Sequence, residues 1–420
     1  MPSAPPSGEP APLDGRLPDR ALDAFAAGGP FGYYVHVPFC ARRCGYCDFN
    51  TYVPAAGEPG AKAVRTYIDA VAREIDLSAE VLGADGRALR PVDTVFFGGG
   101  TPTMLAADEL VAILHRIRDR FGLTDGAEIT TEANPDSVTP ESIEALAEGG
   151  FTRISLGMQS VVPHVLATLD RTHSAENVER AVAAARDVGL ATSLDLIYGT
   201  PGESLSDWAA TLRAAIDLQP EHISAYALVV EEGTAMGAAL ARGTLEAPDD
   251  DDEADKYELA DAMLSRAGFG WYEVSNWTRT DRGRCRHNEG YWRDGHWWGA
   301  GPGSHGHVGG VRWWDLRFPA TYAMRLAEGS SPAEARELPD DEQAFTEKLM
   351  LGIRLRGGIP LTMLDSPHAA GRGVLDELID DGLLEPSPAV GRQGEGEPRA
   401  VLTMRGRLLA DSVIRTMLGF

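Results

Sequence analysis

The chain is poor in cysteine, in long apolar runs and in positive charge, and each shortage excludes something. Only four cysteines occur in 420 residues, three of them in one short stretch and the fourth, Cys285, far from it. That is too few for a disulfide framework and fits a reducing compartment. Nowhere does the sequence approach the ~18 consecutive apolar residues of a membrane span. The opening Met-Pro-Ser-Ala-Pro-Pro-Ser has neither a basic nor an apolar signal region, so a soluble, cytoplasmic protein is expected. Lysine and arginine together number 38 against 63 aspartates and glutamates, a formal net charge of -25. Such a surface repels phosphate backbones, and without a visible basic patch no nucleic-acid partner is expected.

What is present is enough apolar material for a large core, 43% of residues, distributed in alternating patterns. Residues 1–29, rich in Pro, Ala and Gly, read as a disordered arm. From there to about residue 240, short β-branched or aromatic runs alternate with helical patterns. Strands are expected at residues 33–37, 92–97, 128–133, 153–158, 191–197 and 222–228. Between the first two, Val64, Tyr67, Ile68, Val71 and Ile75 recur at helical spacing, and further helices are expected at 106–121, 140–149, 175–189 and 206–218. Serial β-then-α units imply an α/β fold with right-handed crossovers and a parallel sheet. Cys40, the Gly98-Gly99-Gly100 run, Glu132, Gln159 and Asp195 each fall at or just past the end of a different expected strand, which favours a partial barrel with one mouth.

Residues 241–337 read as an extension of that barrel. Its acidic run, residues 249–255, suits the start of a solvated helix, and residues 271–314 hold seven of the eight tryptophans and four of the ten histidines. Residues 338–420 read as a C-terminal winged-helix-like α+β module, with helices at 340–355, 373–381 and 407–417 and a Pro/Gly-rich loop at 386–398. From Asp340 onward there are 13 acidic and 9 basic residues, so packing or partner docking is expected there rather than DNA reading.

The chemistry concentrates in Cys40, Cys44 and Cys47. A C-x3-C-x2-C loop can hold three irons of a [4Fe–4S] cluster and leave the fourth open to a small molecule. A zinc site completed by Cys285 or a histidine is the plainer alternative, although structural zinc more often uses two C-x2-C pairs. The Gly98–Thr103 run is either a tight turn or a place where backbone approaches a polar ligand. Glu132 could cap a helix, Arg171 could pair with Asp170 or Glu176, and Asp195 could be a buried hydrogen-bonding carboxylate.

Taken in order, Tyr34-x-His36-x-Pro38-Phe39-Cys40-x3-Cys44-x-Tyr46-Cys47, Gly98–Thr103, Glu132-Ala-Asn-Pro, Leu156-Gly-x-Gln159-Ser and Asp195-Leu-Ile-Tyr-Gly-x-Pro201-Gly resemble the radical S-adenosylmethionine (SAM) proteins around oxygen-independent coproporphyrinogen III oxidase. The resemblance runs from Tyr33 to the C-terminus and implies a partial (β/α)6 barrel. It also implies that Cys40, Cys44 and Cys47 ligate a [4Fe–4S] cluster whose free iron is chelated by SAM. Tyr34 and Tyr46 would then contact SAM. Gly99, Gly100 and Thr101 would bind its methionine part, and Glu132, Gln159, Arg171 and Asp195 its amino, carboxylate and ribose groups. Val229 and His305 correspond to adenine-side contacts. The implied chemistry is reductive cleavage of SAM to methionine and a 5′-deoxyadenosyl radical that abstracts hydrogen.

Within that family the sequence sides with the haem-chaperone branch. The oxidases carry a further cysteine two residues after the third, where Phe49 stands here, and Asp48-Phe49-Asn50 matches the chaperones. His287-Asn288-x-x-Tyr291-Trp292 matches the pattern in which the histidine is a candidate axial ligand of haem, flanked by rings able to stack on a porphyrin. The bland reading of His287 is a satisfied core histidine. The expectation is therefore haem as cargo, delivered to acceptor proteins that include membrane-associated ones, by a chain with no membrane segment of its own. The alternative is oxidative decarboxylation of coproporphyrinogen III to protoporphyrinogen IX. A radical SAM enzyme acting on RNA or protein lacks support, since there is neither a second cysteine cluster nor a basic tail.

Overall fold

The computed structural model describes residues 8–386 and 397–420. Two compact units divide the chain: Met1–Lys256 with Gly295–Leu338, and Tyr257–Asp294 with Pro339–Phe420. The division cuts the Trp/His-rich segment at Asp294, so the stretch read as one barrel extension over 241–337 belongs partly to each unit.

The first unit is built on strands β1 (Phe31–Val37), β2 (Val92–Gly99), β3 (Leu123–Ala133), β4 (Arg153–Gln159), β5 (Ala191–Tyr198), β6 (His222–Ala227), β7 (His296–Ala300), β8 (His305–Val308), β9 (Val311–Asp315) and β10 (Ala333–Glu337). Its sheet runs in the order Glu9–Pro10, β10, β9, β8, β7, β1, β2, β3, β4, β5, β6. From β1 to β6 every pairing is parallel and in chain order, an open run of the (β/α)6 kind rather than a closed barrel. Strand β7 joins β1 in parallel from the far end of the chain, and β8 to β10 continue antiparallel. All seven residues of β4 are buried, as a strand with neighbours on both edges and helices over it requires. Crossover helices fall where the apolar spacing places them: Glu58–Leu82, Ala107–Phe121, Pro140–Glu148, Ala175–Asp187 and Leu205–Asp217. Thr139, Ser174 and Ser204 cap three of them through side-chain oxygens.

The arm expected to be disordered is ordered over its described part. Glu9–Pro10 pairs with β10, and Asp19–Ala27 is a helix that buries Ala21, Leu22 and Phe25. Phe25 meets Phe31 edge to face at 4.9 Å. The Pro/Ala/Gly average of the segment hides this short apolar face, which is enough to dock a helix on the sheet.

One buried polar cluster sits between the long helix and the β7 to β9 region. Glu74 lies on the same face of Glu58–Leu82 as Tyr67, Val71 and Ile75 and is fully buried. It accepts from Gly301 N at 2.9 Å, from Trp298 Nε1 at 3.4 Å and from the Tyr322 hydroxyl, and shares a hydrogen bond with the buried carboxyl of Asp315. Burial pushes Glu74 up to about 7, and burial followed by the charge of Glu74 pushes Asp315 well above the usual range. Between the unfolded carboxyl range and about 7 the native state therefore holds more protons than the unfolded chain. Stability from this pair is present at the acid end of that window and is lost as pH rises. Buried histidines titrate with the opposite sign, so the pair is isolated by comparison. The thermal midpoint of wild type minus that of Glu74→Gln is expected to fall by about 2–5 °C between pH 5 and 8 by calorimetry. A difference that stays flat with pH would remove the shared proton.

The second unit has its own core of Leu349, Ile353, Ile359, Leu364, Leu378, Val413 and Met417. Helix Asp341–Gly352 precedes the first strand of a two-stranded antiparallel pair, Ile359–Pro360 with Arg399–Ala400, and helix Val374–Asp380 lies between its strands in sequence. The expected last helix is broken at Leu409 into Met404–Leu408 and Ala410–Leu418. Within this unit Arg407 forks onto Asp261 at 2.9 and 3.2 Å and lies over the Trp271 ring at 4.4 Å. Most of the expected Pro/Gly-rich loop lies outside the described residues.

Candidate functional site

Strand β1 delivers the cysteine loop, and the loop closes on itself at its base. Tyr52 N donates to Pro38 O at 2.7 Å and Cys40 N to Tyr52 O at 3.0 Å, so the chain leaves β1 and returns beside it. Cys40 is buried, while Cys44 and Cys47 are half-buried. Burial pushes the Cys40 thiol up and the Cys47 thiol up to about 11. Thiols held this way ionise when a metal supplies the compensating charge. Two neighbours are aimed at sulfur: Thr101 Oγ1 donates to Cys40 Sγ at 3.8 Å and Arg171 Nη1 to Cys44 Sγ at 3.9 Å. Among the described residues no group of His, Cys, Asp and Glu is placed to hold a single metal ion. A cubane gives each cysteine its own iron, so its ligands need not converge on one point. Cys285, the alternative fourth zinc ligand, is buried in the other unit.

The glycine run packs against this loop. Gly100 N donates to Val37 O at 2.8 Å and Thr101 N to Phe39 O at 2.7 Å. A Cβ at Gly100 would stand 2.6 Å from Phe39 O, and Gly99, at φ +105°, would drive one to 2.5 Å from the His36 ring. These two positions need glycine because the protein's own cysteine loop and the His36 ring pack against them, which is a close approach of chain to chain and not yet of backbone to a ligand.

Around them the strand ends bring polar groups together. Glu132 Oε2 accepts from Gly99 N at 3.2 Å, so it caps no helix. Arg171 pairs with neither Asp170 nor Glu176 but donates to Asn134 Oδ1 at 2.6 Å and Gly157 O at 3.0 Å, while Asp170 takes Arg42 at 2.6 Å. Asn134 Nδ2 in turn donates to Thr101 Oγ1 at 3.2 Å, which joins the arginine to the glycine run. Gln159 is buried at φ +58°, at a register shift between β4 and β5, an uncommon conformation for a non-glycine residue. Asp195 accepts from Ser155 Oγ at 2.9 and 3.1 Å. Burial, then the charge of Asp195, pushes Glu132 up to about 8, and burial raises Asp195 as well. Two carboxyls set close together in low dielectric make a favourable seat for a cationic group such as an ammonium.

Tyr34 reaches His36 Nδ1 at 3.1 Å, and Tyr46 is buried enough to keep its hydroxyl protonated far above neutrality. Val229, 66% exposed, follows β6, and His305 opens β8 with its ring 6.1 Å from that of Trp314. His287 belongs to the other unit, in the helix Arg286–Trp292. It is 3% exposed, its Nε2 lies 2.7 Å from the Tyr291 hydroxyl, and burial pulls it down to about 3, so the imidazole is neutral. As it stands, Nε2 is engaged, and ligation through that atom requires Tyr291 to withdraw.

Some participants escape sequence reasoning. Asn134 was visible within Glu132-Ala-Asn-Pro, but nothing there gives its partners. Lys256, at the end of the acidic run, is fully buried and donates to Glu203 O at 2.9 Å, while Glu203 Oε2 accepts from Gly199 N at 2.9 Å. That pair braces the loop after β5, and the acidic run itself begins a helix at Asp250, as the bland reading has it.

Comparison with known proteins adds to this geometry. The radical SAM superfamily profile matches residues 34–215. The chain is 49% identical over 393 residues to the heme chaperone HemW of Mycobacterium tuberculosis H37Rv, covering 93% of this chain and 96% of that one. It is 30% identical to heme chaperone HemW of Bacillus subtilis, over 92% and 98% of the two chains. Among solved structures, the coproporphyrinogen III oxidase HemN of Escherichia coli, a radical SAM enzyme, aligns with a TM-score of 0.77 at 21% identity over 94% of this chain and 92% of that one, a likeness of fold.

Proposed function

The chain belongs to the HemW family of radical SAM proteins, and on that footing we propose that it binds haem and hands it to acceptor proteins while carrying a [4Fe–4S] cluster and SAM. Cys40, Cys44 and Cys47 would hold the cluster, and when bound the cluster and SAM supply one-electron chemistry that no side chain can. The donor set fits: three thiols on one loop, a cation and a hydroxyl facing their sulfurs, and a glycine turn that lets backbone lie close. Glu132 and Asp195 would take the amino and ribose groups of SAM, Arg171 and Thr101 the carboxylate, and Tyr34, Tyr46, Gly99, Gly100, Gln159, Val229 and His305 would shape the rest. Haem would enter as cargo at His287, whose neutral imidazole is the protonation state that ligates iron.

The observation that carries the chaperone reading over the oxidase is Phe49. It occupies the place of the oxidases' additional cysteine and stands 58% exposed at the lip of the loop, so that corner offers apolar surface instead of a thiol. Among the described residues no helix is long and apolar enough to cross a membrane.

The test is anaerobic reconstitution followed by two assays side by side. Given SAM, reductant and coproporphyrinogen III, the protein is expected to leave the substrate undecarboxylated on chromatography. Loaded with haem, it is expected to pass that haem to an apo-acceptor, followed by the acceptor's own absorbance. Formation of protoporphyrinogen IX would reverse the assignment.

A further inference from the structure

We propose that Asn50 is a positioning residue that ties the cysteine loop to the turn at residues 301–304. The consequence for a cluster rests on the reading above, whereas the geometry of the tether does not.

Asn50 uses every polar atom of its amide and its carbonyl. Its Nδ2 donates to Pro302 O and to Arg317 O, both at 2.8 Å. Two carbonyls on that side can only accept, which fixes which end of the amide faces them. The Tyr52 hydroxyl lies 3.1 Å from Asn50 Oδ1 and 3.0 Å from Arg317 O, so its one proton is shared between them. Asn50 O is 3.0 Å from His36 Nε2, which must therefore donate, leaving His36 Nδ1 to accept from the Tyr34 hydroxyl at 3.1 Å. The result is a chain of hydrogen bonds from Tyr34 through His36 and Asn50 into the turn. Gly303 makes room for it, because a Cβ there would sit 2.6 Å from Asn50 Nδ2.

The turn is a fixed post. Ser304 N closes it on Gly301 O at 3.0 Å. Gly301 N is held by Glu74 at 2.9 Å, and Ser304 Oγ by Asp315 at 2.9 Å, both inside the buried carboxyl cluster. His305, a candidate ligand contact, is the next residue. The base of the loop is already fastened by the Phe39 to Tyr52 bridge. Residues 42–45 of the loop are held by the Arg42–Asp170 pair at 2.6 Å and by Met236 N donating to Gly45 O at 2.8 Å. Asn50 adds an attachment after Cys47, and separated points of attachment are what fix the orientation of a loop rather than only its origin.

Asn50→Asp keeps the size of the side chain but sets a carboxylate against two carbonyls. In full-length protein without iron, trypsin cleavage after Arg42 and Arg43 is expected to run about ten times faster in Asn50→Asp than in wild type, with the thermal midpoint nearly unchanged. Tyr52→Phe, which removes one shared proton, is expected to give about a three-fold change and serves if the aspartate variant does not fold. After anaerobic reconstitution, Asn50→Asp should lose iron to a chelator faster, and the paramagnetic signal of its reduced cluster should respond less to added SAM. Cleavage and iron loss both at wild-type rates would overturn the proposal. Wild type that takes up no cluster yet shows the cleavage difference would overturn the ligand reading and support the tether.

Discussion

Cys44→Ser protein, purified and reconstituted without oxygen, is expected to carry at least about ten-fold less iron than wild type and to lose the brown absorbance with it. The fold should survive, because Cys44 is half-buried in a loop whose base is closed by backbone bonds and whose removal takes nothing from the strands beneath. Circular dichroism and the thermal midpoint of the iron-free proteins should therefore coincide, while the iron assay separates them. The same contrast distinguishes a cubane from zinc: metal analysis of wild type should give iron and sulfide in equal amount. Full iron content in Cys44→Ser would take Cys44 out of the ligand set.

Haem binding should depend on His287 as strongly. In a titration followed through the Soret band, His287→Ala is expected to bind at least about ten times more weakly than wild type. Tyr291→Phe should move the other way. In the folded protein the His287 Nε2 atom is engaged by the Tyr291 hydroxyl at 2.7 Å, and a ligand that must first break one net hydrogen bond binds about five-fold more weakly than one that need not. Tyr291→Phe removes that obligation while keeping the ring, so tighter haem binding with an unchanged band position is the expected result. Haem affinity indifferent to both substitutions would place the cargo elsewhere.

Much of the scaffold could be read in advance because its signals are local. The strand expected at residues 153–158 is β4, extended by the single residue Gln159, and the stripe of Tyr67, Val71 and Ile75 is the buried face of Glu58–Leu82. What escaped was whatever depends on partners far away in sequence. Glu74 sits on that same stripe, but it takes Trp298, Gly301, Asp315 and Tyr322 to make a buried carboxyl tolerable there. Arg171 has acidic neighbours in sequence and ignores them for Asn134 and Gly157 O. The division of the Trp/His-rich segment at Asp294 has no compositional mark, since tryptophans pack into both units. Of the residues proposed for SAM, those at the ends of β1 to β5 were legible as successive strand ends. Tyr34, Tyr46, Arg171, Val229 and His305 were not singled out that way and rest on resemblance.

The placement of β7 beside β1 has a consequence for biosynthesis. The stretch that ends in the three thiols emerges from the ribosome early, but its flanking strand, Pro302 and Arg317 are made some two hundred and sixty residues later. A nascent chain halted before that point exposes one edge of β1 and leaves Asn50 with nothing to grip. Long-range pairings of this kind form slowly, after the intervening segments have collapsed. A cluster held by Cys40, Cys44 and Cys47 would accordingly find its loop fully anchored only in a finished polypeptide.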